Sequence, residues 1–269
     1  MYKQYEILGE TINVYFEKEL NQDDTICLFI HGFGSSNDIM KPIQRIGNRK
    51  FIIVSIDLPG CGKSSWNVKP ISILNYMEIT KEFINKYLLH NEVYIVAHSL
   101  GAWSGLYAVK NTHAKHALLL GPAHYHLTPN RIEFALKYLI PKTEEDAIYS
   151  YITLSAFPER FKATAHMYAK SVISESNDRA ERFEHMLHNE MMNKEFVNKV
   201  LNKELYGGSN KYTIVVGEKD LYTRPDEISI IAKEHNKTMN LIPEAGHAIF
   251  VDQPIAVLNF INEMIENEK

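Results

Sequence analysis

The chain has 269 residues, 45% hydrophobic and 23% charged, with a formal net charge of −4. That size and balance suit one large α/β domain or two smaller ones, with enough apolar material for a substantial core. No basic stripe suggests nucleic acid, no basic amphipathic segment suggests a membrane surface, and no apolar run reaches the roughly 18 residues that span a bilayer, so neither a nucleic-acid partner nor membrane insertion is expected.

The chain starts with polar residues, Met1-Tyr2-Lys3-Gln4-Tyr5-Glu6, and no apolar signal core follows. Gln4 to Leu8 and Ile12 to Phe16 read as a hairpin around Gly9-Glu10. Six short runs rich in Val, Ile and Leu come next: Ile26 to Ile30, Phe51 to Ile56, Val93 to Ala97, Ala117 to Leu120, Tyr212 to Val216 and Met239 to Ile242. Near-continuous apolarity of this kind marks buried parallel strands. Helical candidates alternate with them: Ile71 to Leu89, Leu100 to Lys110, Asp226 to His235 and Pro254 to Glu266. The pattern predicts an α/β fold, a mostly parallel eight-stranded sheet with helices on both faces. Residues 122–206 break the alternation. They hold apolar residues at helical spacing, are punctuated by Pro122, Pro129, Pro141 and Pro158, and end at Gly207-Gly208-Ser209. They read as a helical insertion, which leaves 1–121 and 207–269 as the core. Of the two cysteines, Cys27 lies in an apolar run and Cys61 in a turn. Nothing demands a disulfide, so a reducing compartment, the cytoplasm, is expected.

Ala97-His98-Ser99-Leu100-Gly101 follows an apolar strand and opens a helix. A serine between small residues at such a junction is turned out from the sheet edge, where its hydroxyl can act as a nucleophile. Serine is a poor nucleophile near neutral pH. It needs a histidine to take its proton, a carboxylate to orient that histidine, and backbone N–H groups for the oxyanion. The segments His31-Gly32-Phe33-Gly34, Gly217-Glu218-Lys219-Asp220 and Glu244-Ala245-Gly246-His247-Ala248 each follow a strand and can supply these parts. Taken singly, each also has a plain reading: an N-capping serine, a glycine-rich turn, a solvated acid and a surface histidine.

Together these segments resemble the α/β-hydrolase superfamily, along nearly the whole chain and including Asp57-Leu58-Pro59-Gly60-Cys61-Gly62-Lys63-Ser64. The resemblance implies a catalytic triad of Ser99, Asp220 and His247, the acid being Asp220 and not Glu218. It implies an oxyanion hole from the backbone N–H groups of Phe33 and Leu100. It also implies a serine esterase-like member in which residues 122–206 form a helical cap after the sixth strand. Ala97, where the usual pattern has glycine, is the one clear departure. The expected reaction is cleavage of small to medium carboxylic esters through an acyl-enzyme. Thioester, lyase or C–C bond chemistry on the same triad, or a non-catalytic ligand-binding role, are the alternatives. Serine at the elbow argues against dehalogenase and epoxide hydrolase chemistry.

Other motifs carry less. Gly60-Cys61-Gly62-Lys63-Ser64 resembles the end of a phosphate loop, but Asp57 stands where that pattern needs glycine. His185 with His188, and His124 with His126, lack metal-ligand patterns. No metal or cofactor is expected. The expected partner is a small-molecule ester, and the chain is expected to be a monomer or homodimer. His31, His98, Trp103, Phe134, Tyr138, Phe157 and Met167 are the candidates to line the substrate pocket.

Overall fold

The computed structural model describes residues 1–268, with residues 203 and 204 by backbone alone. Eight strands form one sheet: β1 (Tyr2–Ile7), β2 (Glu10–Phe16), β3 (Thr25–Ile30), β4 (Ile52–Ile56), β5 (Glu92–His98), β6 (Ala117–Leu120), β7 (Tyr212–Gly217) and β8 (Met239–Ile242). Their order is β1-β2-β4-β3-β5-β6-β7-β8. β1 and β2 are antiparallel to their neighbours, and the rest run parallel. The alternation read from the sequence thus forms the expected mostly parallel sheet.

The continuous apolar runs are buried on both faces. In β3, Ile26, Leu28 and Ile30 face one core, while Cys27 and Phe29 face the other. β5 and β6 divide in the same way, as period-2 side-chain alternation requires. Helices Ile73–Tyr87, Gly101–Asn111 and Pro225–Glu234 cover the first face, and Pro254–Asn267 covers the second. Both cysteines are free and buried, so Cys61 is not an exposed turn thiol.

Local chemistry moves a few boundaries. The hairpin turns at Leu8-Gly9, not Gly9-Glu10. Both turn residues have positive φ, and Glu10 already pairs with Ile7. The first long helix begins at Ile73 because Ser72 caps it, accepting from the Asn75 N–H at 3.0 Å.

Between β6 and β7 the described elements are all helical. Pro129–Tyr138, Glu144–Ile152, Glu159–Ser174 and Ser176–His185 come first. The chain then widens over Met186–Met191 and Val197–Tyr206, closing with i→i+5 bonds such as Met192 N–H to Leu187 C=O at 2.9 Å. Met186, Met191 and Met192 are buried here, whereas Met167 is 71% exposed. Among the described residues, no helix is long and apolar enough to cross a membrane.

Candidate active site

The ends of the parallel strands converge on Ser99. The serine has φ +53°, a left-handed conformation unusual for a residue with a Cβ. Neighbouring strands hold it there. Its N–H donates to the Leu120 carbonyl at 3.0 Å, and its own carbonyl accepts from Ala123 at 2.9 Å and Ala102 at 3.0 Å. The glycine that ends the motif is needed for close approach, because a Cβ on Gly101 would lie 2.6 Å from the His31 carbonyl. Ala97, the departure from the usual pattern, is accommodated from the opposite side. A Cβ on Gly105, one helical turn further on, would lie 2.9 Å from the Ala97 methyl. The space normally left by glycine in the strand is here left by glycine in the helix. Gly105→Ala is therefore expected to cost about 1–3 kcal/mol through overpacking, despite the better helix propensity of alanine. In an Ala97→Gly background most of that cost should disappear. Urea denaturation of the four proteins of this cycle checks it, and strictly additive effects would contradict it.

On β3, the loop from His31 to Gly34 folds back against the serine. A Cβ on Gly32 would come within 2.8 Å of the Ser99 Cβ. His31 is buried and cross-braces this loop. The Leu58 N–H donates to Nε2 at 3.0 Å, so Nδ1 carries the proton and donates to the Gly32 carbonyl at 2.7 Å. Burial holds its pKa below the ordinary value, with partial opposition from that carbonyl. His31 thus shapes the loop and is not part of the pocket wall. Among the described residues, neither the Phe33 nor the Leu100 backbone N–H has an acceptor.

Next to this loop, the Asp57 carboxylate fills the concavity of the phosphate-loop-like segment. It accepts from the Asn37 and Lys63 N–H groups at 2.6 and 3.0 Å, and lies 2.3 Å from where a Gly62 Cβ would be. The chain's own anion occupies the place a phosphate would take.

Asp220 follows β7, and its carboxylate is almost fully buried. Oδ1 accepts from the Tyr222 and Thr223 N–H groups at 2.7 and 2.8 Å, and Oδ2 from the Thr223 hydroxyl at 2.8 Å. His247 Nδ1 meets the same Oδ2 at 2.8 Å. Burial alone would raise the Asp220 pKa, but the His247 ring and these donors outweigh it and hold the carboxyl below its ordinary value. The pairing places the His247 proton on Nδ1 and leaves Nε2 free to accept. Glu218 lies elsewhere, accepting from the Glu244 N–H at 3.2 Å near the surface. Gly121, at φ +50°, gives the pair room, because a Cβ there would lie 2.9 Å from Asp220 Oδ2 and 3.2 Å from His247 Nδ1.

Two aromatic rings confine His247. Tyr222 stacks on it at 5.1 Å, and His98 lies at 4.6 Å. His98 Nε2–H donates to the His247 carbonyl at 2.9 Å. Burial, then the neighbouring His247, push its pKa down to about 3. The unfolded chain therefore takes up a proton between the ordinary value of 6.5 and about 3 that the folded chain refuses, so stability falls as pH drops through that window. The loss is at most about 1.4 kcal/mol per pH unit. His98→Gln, which keeps a donor, should lose less stability between pH 7 and pH 5 than the wild type. Denaturation midpoints at the two pH values check this, and equal losses would contradict it.

The helical insertion is bolted to the His247 loop by a residue the sequence reading did not single out. Asp252 Oδ2 accepts from Gly246 and Ala156 at 2.8 Å each, and Oδ1 accepts from the Ser155 hydroxyl. Ala248 N–H reaches the Leu154 carbonyl at 2.6 Å. Between sheet and insertion lies a cavity of about 380 Å³. Ser99, His98, His247, Gly32 and Phe33 form its floor, and Tyr138, Leu139, Tyr151, Leu154, Tyr168 and Arg179 contribute from the insertion. A recess of about 20 Å³ behind Ser99, the size of one water, is lined by Phe134, Arg131 and Met191 among others.

Of the pocket candidates, His98 and Tyr138 line the main cavity, and Phe134 lines only the recess. Trp103, on the helix Gly101–Asn111, is buried in the core, and Phe157 packs outside the cavity between Arg160 and Lys219. Met167 faces solvent. Helical periodicity marks an apolar face without saying what covers it, as at Met167, while Phe157 lies between helices and Trp103 is a candidate only by its nearness to Ser99 in sequence. Tyr222 and Thr223 could have been suspected from their place directly after Asp220. Arg179 and Asp252 had no local signal.

A curated relative, "Proline iminopeptidase PfmaB" from Pestalotiopsis fici (strain W106-1 / CGMCC3.15140), is 25% identical, covering 91% of this chain and 93% of its own. A thermophilic esterase from Thermogutta terrifontis superposes with TM-score 0.71 at 17% identity, over 100% of this chain and 99% of its own. A membrane phospholipase A, described as a bacterial virulence factor, superposes with TM-score 0.80 at 15% identity, over 100% and 86%. The sequence model of the alpha/beta hydrolase family matches residues 27–259, and the chain belongs to that family.

Proposed function

We propose that this protein is a serine hydrolase that cleaves carboxylic esters of small to medium acyl groups. The observation that carries this reading is the buried Asp220–His247 pair at 2.8 Å, opening onto the same cavity as the strained Ser99. In the proposed cycle His247 Nε2 takes the hydroxyl proton as Ser99 Oγ attacks the ester carbonyl carbon. The Phe33 and Leu100 N–H groups receive the oxyanion. The tetrahedral intermediate collapses, the C–O bond to the alcohol breaks, and His247 returns its proton to the departing alkoxide. A water, deprotonated by the same nitrogen, then releases the acid and restores Ser99. Residues 122–206 act in this reading as a lid that supplies pocket walls, and residues 1–121 and 207–269 as the catalytic core.

The relative's name suggests a second reading, removal of an N-terminal proline. Charge weighs against it. An N-terminal ammonium needs a free carboxylate in the chamber. Among the described residues the carboxylate lining it is Asp38, which is bridged to Lys41 at 2.6 Å, while a guanidinium stands inside. The test is hydrolysis of p-nitrophenyl esters of graded chain length beside matched thioesters and proline p-nitroanilide. Ester turnover that exceeds the other two supports the proposal, and anilide turnover that exceeds ester turnover contradicts it.

A further inference from the structure

Among the described residues, Arg179 stands in the cavity without a counter-charge. It lies on the helix Ser176–His185, and its guanidinium enters the chamber beside the glycine loop. A Cβ on Gly34 would lie 2.4 Å from Arg179 Nη2 and 2.8 Å from Nη1, so only glycine lets the guanidinium rest there. The Phe33 and Phe183 rings face it at 5.8 and 5.7 Å and hold it in place. Of its five N–H donors, Nη2 reaches the Leu139 carbonyl at a long 3.3 Å, and Nε is buried with no partner among the described residues. Asp178 pairs with Arg182 at 2.6 Å, Glu181 with Lys69 at 3.0 Å and Asp38 with Lys41, and among the described residues no carboxylate, that of Glu175 one turn earlier included, forms an ion pair with Arg179. A partly desolvated guanidinium with open donors is costly unless an anion completes it. Its planar fork fits a carboxylate through two parallel hydrogen bonds.

The same loop touches Ser99. The serine Oγ lies 3.4 Å from the Cβ position of Gly32, two residues before Gly34. Those two residues span at most about 7 Å. A compact substrate can therefore meet both groups. We propose that Arg179 binds a carboxylate on the substrate of the Ser99 site, and that the preferred substrates are short esters bearing that charge. This rests on Ser99 being the nucleophile of ester cleavage.

Two matched pairs test it. Mono-(p-nitrophenyl) glutarate against p-nitrophenyl pentanoate places the charge on the acyl side. The acetyl ester of p-hydroxybenzoate against phenyl acetate places it on the leaving group. kcat/KM is measured for wild type, Arg179→Gln and Arg179→Lys. Wild type should favour the charged member of one pair by about tenfold or more. Arg179→Gln should abolish most of that preference, and Arg179→Lys should keep part of it. No preference in either pair, or an equal fall for both members of each pair in Arg179→Gln, would overturn the proposal. Calorimetric titration of glutarate and benzoate into wild type and Arg179→Gln reads the same site without catalysis. If no ester is cleaved, the esterase reading fails alone. Binding to wild type that Arg179→Gln loses would still support the carboxylate site, and equal or absent binding would overturn it.

Discussion

Replacing Ser99 by alanine is expected to lower ester hydrolysis by about 10⁴-fold or more, because the attacking atom is lost and only residual binding and oxyanion effects remain. The fold should survive. The left-handed φ of +53° is held by backbone bonds to Leu120, Ala123 and Ala102, none of which needs the hydroxyl. Burst-phase release of p-nitrophenol should vanish with turnover, since no acyl-enzyme can form. A variant that kept a tenth of wild-type activity, with an intact burst, would place the nucleophile elsewhere.

The second large effect concerns the acid. Asp220→Asn should cut kcat by about 10³–10⁴-fold. The carboxylate accepts at both oxygens, from two backbone N–H groups, one hydroxyl and His247 Nδ1. An asparagine that keeps its oxygen toward the backbone donors must present its amide N–H to His247. That pushes the imidazole proton onto Nε2, the nitrogen that has to accept from Ser99. Glu218→Gln should change kcat less than about threefold, because among the described residues Glu218 accepts from the Glu244 N–H alone, at 3.2 Å near the surface. Steady-state kinetics on the two purified variants decides between the acids, and a reversed ranking would assign the role to Glu218.

Much of this fold was legible because parallel strands buried on both faces write themselves as short unbroken apolar runs. Ile26 to Ile30 and Ala117 to Leu120 are examples, and each lies within one residue of the observed strand. The juxtaposition of Asp220 and His247 was legible for a related reason. Parallel strands deliver the residues that follow them to one edge, so three loops that are distant in sequence meet at that edge. The insertion was legible only as helical. Its inward faces depend on long-range contacts, such as Arg182 donating to the Gly60 carbonyl 122 residues away, and amphipathic spacing does not carry that information. Met167, on the helix Glu159–Ser174, is exposed for that reason. Arg179 escaped notice because an arginine on a polar helix reads as solvated unless its neighbours in space are known. The Ala97 departure is matched by Gly105, which faces it from the next turn of the helix, a pairing that the five-residue motif does not contain.

The central claim is that Ser99 is an activated nucleophile facing the cavity. The most direct measurement is reaction of the purified protein with a fluorophosphonate probe, followed by peptide mapping of the adduct. Wild type should be labelled at Ser99 alone, Ser99→Ala should not be labelled, and Asp220→Asn should be labelled far more slowly. Modification of another serine, or labelling of Ser99→Ala at the wild-type rate, would contradict the account.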